Sequence, residues 1–172
     1  MTIDGLFKDK TSKAKEKVIV IGQWLSERKI TPDELISYAS NSKAPVKASC
    51  IEALEFATKQ DPTIANEAVL GFAVNSLTEK APRIKWESAK VIGNIAYRFP
   101  EKLETAIGHL LENTEHEGTV VRWSAAFALG EILKLKTPLN IQLLPTLEAI
   151  SERDDKNSVR KIYLDAIKKT NK

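Results

Sequence analysis

Four stretches of this chain superimpose on one another: PVKASCIEALEFA from Pro45, RIKWESAKVIGNIA from Arg83, VVRWSAAFALGEIL from Val120 and SVRKIYLDAIKKT from Ser158. Each carries, near its start, a β-branched residue followed by a base, and the bases Lys47, Lys85, Arg122 and Arg160 recur at intervals of 38, 37 and 38 residues. A fixed beat of this length is the mark of a repeat architecture, in which each unit buries its apolar side only against its neighbours. It constrains the fold more than any single motif.

Counted from each base as zero, positions 3 and 4 are Cys50-Ile51, Ser88-Ala89, Ala125-Ala126 and Tyr163-Leu164, and positions 6 and 7 are Ala53-Leu54, Val91-Ile92, Ala128-Leu129 and Ala166-Ile167. That spacing is one face of an α-helix. Cys50 lies on this face, so it reads as a buried structural thiol rather than a nucleophile, and a lone cysteine calls for no disulfide.

Between these helices lie others with their own start signals. Thr31-Pro32, Asp61-Pro62, Phe99-Pro100 and Thr137-Pro138 each predict a helix opening on proline, three of them behind a capping side chain. The helices that follow the last three are expected to bury Ile64, Ala68, Val69 and Phe72, then Leu103, Ile107, Leu110 and Leu111, then Leu143, Leu144, Leu147 and Ile150. No segment alternates with period two. The class is all-α, about nine helices in a single domain over residues 1–172.

With 42% apolar residues, the chain can bury a sizeable core. Its 26 bases against 23 acids leave a net charge of +3, too mild to imply a nucleic-acid partner, although lysines collect at both ends. The start MTIDGLFKDK carries charges where a secretory signal would be apolar, and VIVIG at 18–22 is far too short to span a bilayer. A soluble cytoplasmic protein with no membrane association is expected.

LLPTLEAISERDDKNSVRKIYLDAI, residues 143–167, resembles a HEAT repeat, with paired leucines before a helix-interior proline, acids in the turn and Val-Arg opening the second helix. The Ala-Leu-Gly of VVRWSAAFALGEI is a further likeness. The resemblance covers roughly residues 12–170, with SKAKEKVIVIGQWL as a leading half-repeat in which Gly22 aligns with Gly93 and Gly130. It implies a right-handed α-solenoid of about four HEAT-like helix pairs plus a leading helix. The beat is slightly shorter than the ~40–47 residues usual for such repeats.

In the HEAT family the second helix of each pair lines the concave surface. The resemblance therefore turns Trp86, Trp123, Phe127 and Tyr97 toward a groove, flanked by Lys90 and Glu131. It also implies that the bases at position zero bridge to acids of a neighbouring repeat. Gly93 and Gly130 each weaken their helix by about 1 kcal/mol relative to alanine. Either the helices approach closely there, or space is left for a ligand.

These residues point to a non-catalytic binding module or scaffold holding a protein or peptide on its concave face, without cofactor. HEAT-like DNA glycosylases, the alternative, place a carboxylate one turn beyond a tryptophan. Here Trp86 and Trp123 are followed by Lys90 and Phe127, and nucleic-acid binding has weak support. Phycobilin lyases also contain Ala-Leu-Gly runs, a shared feature of the repeat. His109 and His116 lie near Glu112, Glu115 and Glu117 without a compact ligand spacing, so no metal site is expected.

Overall fold

The computed structural model describes residues 1–172 and contains ten α-helices and no strands. They are α1 (Ile3–Lys8), α2 (Ala14–Ser26), α3 (Pro32–Ser40), α4 (Ala44–Gln60), α5 (Glu67–Ser76), α6 (Pro82–Ile95), α7 (Glu104–Asn113), α8 (Thr119–Leu133), α9 (Asn140–Arg153) and α10 (Asn157–Thr170). Helix α1 is the one beyond the expected nine. Short 3-10 turns at Pro62–Ile64 and Ala96–Arg98 follow α4 and α6.

From α2 onward the even-numbered helices pack successively, α2 on α4, α4 on α6, α6 on α8 and α8 on α10. The odd-numbered helices lie outside them and touch one another far less. The even-numbered helices therefore make a closely packed inner wall and the odd-numbered ones a looser outer layer. The result is an α-solenoid. One continuous cluster of 39 buried residues runs from Leu6 to Ala166.

Positions 3, 4, 6 and 7 are buried in α4, α6 and α8. In α10 the register holds for Tyr163 and Ala166, but Leu164 is 53% exposed because no further helix covers it. The outer layer buries Val69, Leu103, Leu110, Leu143, Leu147 and Ile150 as expected, whereas Ile64, Phe72, Ile107, Leu111 and Leu144 are only partly buried, Ala68 is exposed, and Leu70 and Ala73 are inside.

Only one of the four prolines opens an α-helix. Pro32 begins α3, behind Thr31, whose Oγ1 accepts from the Glu34 N–H at 3.1 Å while the Glu34 carboxylate accepts from the Thr31 N–H at 2.6 Å. Pro62 instead opens a 3-10 turn capped by Asp61, and α5 starts at Glu67 behind Asn66, whose Oδ1 accepts from the Val69 N–H at 3.0 Å. Pro100 and Pro138 lie in turns ahead of α7 and α9. A proline fixes one φ and favours any right-handed turn, so it marks the turn rather than the helix.

The bases at position zero do tie repeats together. Lys47 pairs with Glu79, and Arg122 bonds Asp154 at 3.1 Å and Asp155 at 3.0 Å, in each case reaching the turn of the next repeat. Lys85 Nζ donates to the Leu77 carbonyl at 3.0 Å inside its own repeat and to Asn113 Oδ1 at 3.4 Å in the next, whereas Arg160 Nε donates to the Ser151 carbonyl at 3.1 Å inside its own repeat. All four are occupied structurally.

Candidate functional site

The inner wall carries the aromatics, yet it does not present them as a free row. Trp123 and Phe127, one turn apart on α8, stack with ring centroids 5.9 Å apart and planes at 9°. Both are partly buried, and Trp123 packs against the core. The Phe127 ring lies over Gly93 of α6, where a Cβ would come within 2.8 Å of Phe127 Cδ2 and nearer still to Cε2. Gly22 of α2 meets Phe56 of α4 in the same way, with a Cβ falling 2.5 Å from Cδ1. At Gly130 a Cβ would lie 3.0 Å from Ala166 Cβ. The three glycines therefore mark close approach between successive helices, and the protein's own aromatics fill two of the gaps.

Gly93→Ala tests this directly. Helix propensity alone favours alanine by about 1 kcal/mol, but here the methyl group must displace a stacked ring. We expect a net loss of about 1–2 kcal/mol in urea unfolding, and a reversal of sign in a Phe127→Ala background. A neutral or stabilising Gly93→Ala in the parent chain would rule out the close packing.

Trp86 on α6 is partly buried, and its Nε1 donates to Glu87 Oε1 at 3.0 Å. Glu87 is only 3% exposed. Lys90 Nζ lies 2.9 Å from the same oxygen and 3.8 Å from Glu55 Oε1 on α4. Burial pushes the Glu87 carboxyl above the ordinary carboxylate range, outweighing the hydrogen bond and charge of Lys90. Glu131 pairs with Lys134 at 2.8 Å beside a dimple between α8 and α10. Tyr97 sits past the end of α6 on the 3-10 turn, 54% exposed.

The structure thus joins Trp86 to Lys90 through Glu87 and Trp123 to Phe127, which shares the dimple between α8 and α10 with Glu131, while no hydrogen bond or ring contact ties Tyr97 to either group. Glu87 is the residue that sequence reasoning missed. Its signal was an acid at a position held by Ser49 and Ser124 in the neighbouring repeats, both of which are buried.

A raised carboxyl pKa means that the folded state binds a proton the unfolded state has released. Stability should therefore fall as pH rises from the ordinary carboxylate range through the folded value. Glu87→Gln removes the ionisation and keeps an oxygen for Trp86 and Lys90. It should be more stable than the parent at neutral pH by about 1 kcal/mol, with the gap closing on acidification. Parallel melting curves at neutral and acidic pH read this, and a pH-independent gap would contradict it.

No group of three or more His, Cys, Asp or Glu side chains is placed to hold a metal ion. His116 Nδ1 accepts from the Gly118 N–H at 2.8 Å. No helix is long and apolar enough to cross a membrane.

No protein-family model and no curated protein matches the chain. Solved structures do. A designed armadillo repeat protein in complex with the peptide (KR)4 is 18% identical with a TM-score of 0.73, over 95% of this chain and 78% of that one. An engineered protein is 19% identical with a TM-score of 0.72, over 98% and 78%. The complex of CpcE and CpcF of phycocyanin lyase from Nostoc sp. PCC7120 is 19% identical with a TM-score of 0.70, over 95% and 94%. At these identities the likeness carries the fold and no family: the chain is an α-solenoid of armadillo/HEAT-like repeats.

Proposed function

We propose that the protein is a non-catalytic scaffold that holds a protein or peptide segment against its inner wall, with Trp86, Lys90, Tyr97, Trp123, Phe127 and Glu131 as the contact residues. The observation that carries this reading is the set of incompletely buried aromatics on adjacent inner helices: Trp86, the Trp123–Phe127 stack and, at the end of α6, the exposed Tyr97. Large aromatics held rigidly beside charged groups are the residue types that supply most interface energy. Among the similar structures, one holds a peptide and another is a complex of two chains, which supports a protein partner.

Selection of random displayed peptides on the immobilised protein tests the reading. The Trp86→Ala, Trp123→Ala double variant should lose the peptides the parent enriches while keeping its helical circular dichroism. Enrichment of the same peptides by the double variant would defeat the proposal.

A further inference from the structure

We infer that the depression between α2, α4 and α6 is a socket for one cationic side chain, lysine or arginine, of the bound segment, which enters by displacing Lys90 from Glu87. This rests on the peptide-binding reading above and adds the chemistry of the partner. The depression has a volume of about 190 Å³, with Glu52, Glu55 and Glu87 around it, Phe56 as an apolar wall and Lys15 at the side.

Three carboxylates together would mean little without the state of Glu87. Its side chain is 4% exposed, and its Oε2 has no hydrogen-bond partner. A buried acceptor left unfilled is costly, and a charged one more so. The chain's own Lys90 ammonium, 2.9 Å from the other oxygen of Glu87 and 3.8 Å from Glu55, shows which chemistry the place accepts.

Lys90 serves two carboxylates at once, since Glu52 is taken by Arg83 at 2.9 Å and Lys15 pairs with none of the three. Glu55 and Glu87 thus share a single ammonium, and a second cation reaching Glu87 would meet an acceptor oxygen that nothing yet fills. Lys90 is also the more exposed partner, its side chain 28% exposed, so its flexible stem can swing outward and let another cation in. A guanidinium could engage both oxygens of Glu87. It would then lie beside the Trp86 indole, which already donates to that carboxylate.

Fluorescence anisotropy at physiological ionic strength tests the socket with three labelled octapeptides. One alternates lysine and arginine, one has glutamine at every base, and one alternates glutamate and aspartate. The parent should bind the basic peptide and discriminate against the other two. Glu87→Gln should weaken that binding by about tenfold or more. Lys90→Met, which keeps the apolar stem and removes the internal competitor, should tighten it several-fold.

Unchanged binding by Glu87→Gln, weaker binding by Lys90→Met, or equal binding of the glutamine peptide would each overturn the inference. If Lys90→Met does not fold, Glu87→Gln and the peptide comparison decide alone. Peptides that bind irrespective of charge and are lost on Trp86→Ala would leave the scaffold reading standing and remove the socket. Should the parent bind none of these peptides, the socket falls, and the displayed-peptide selection then decides the scaffold reading separately.

Discussion

Replacing Arg122 with methionine should cost about 3 kcal/mol of stability, the expected scale for stripping one partner from a buried ion pair. The Arg122 side chain is 12% exposed and that of Asp154 3%, with Nε to Oδ2 at 3.1 Å. The same guanidinium reaches Asp155 at 3.0 Å and the carbonyls of His116 at 3.2 Å and Glu117 at 3.0 Å. Methionine keeps the stem and leaves Asp154 charged, buried and supported only by the Lys156 N–H at 2.9 Å. In the double variant with Asp154→Asn the orphaned charge disappears, so its loss should be well below the sum of the single losses. Arg153→Ala is the control: its pairing with Glu115 links the same two repeats, but both side chains are more than half exposed, at 56% and 65%. Such a pair contributes about 0–1 kcal/mol. Equal losses from Arg122→Met and Arg153→Ala would remove Arg122 as the inter-repeat tie.

The repeat, the helical class and the inward register of α4, α6 and α8 were legible because each rests on a pattern written three or four times. A position that is Cys50, Ser88, Ala125 and Tyr163 in successive repeats identifies itself as core by recurrence, whatever residue fills it. Helix starts were less legible because they rest on a single local signal. Pro62, Pro100 and Pro138 each bend the chain, and only tertiary packing decides that the α-helix begins a few residues later.

The contact surface was half legible. A helical wheel puts Phe127 on the inner wall but cannot see that Gly93 of the neighbouring helix leaves the hollow its ring fills. The same blindness hid Glu87. Its place next to Trp86 in sequence does not reveal that the fold buries it and sets Lys90 on its carboxylate. What the wall offers a partner is therefore narrower than a row of aromatics: a braced indole, a stacked pair and a covered carboxylate. The repeat fold itself is compatible with many roles, and the role belongs to these particular side chains.

Truncating Ile92 to alanine should cost about 3 kcal/mol, the middle of the range for a fully buried aliphatic. Ile92 is 0% exposed in α6, the helix that packs on both α4 and α8 in the inner layer and on α5 outside it. A solenoid is stable only through its neighbour contacts, so a cavity in this central helix should weaken the stack as a whole and not one helix alone. For a chain of this size the loss should lower the melting temperature by roughly 6–12 °C. Leu164→Ala removes the same kind of side chain from the open face of α10, where it is 53% exposed, and should change stability by less than about 0.5 kcal/mol. The shape of the transition is as informative as its midpoint. Because the core runs unbroken from Leu6 to Ala166, the Ile92→Ala protein should still melt in one step, with calorimetric and van't Hoff enthalpies in agreement. Two resolved transitions would show that the array unfolds as separately stable parts rather than as one cooperative unit.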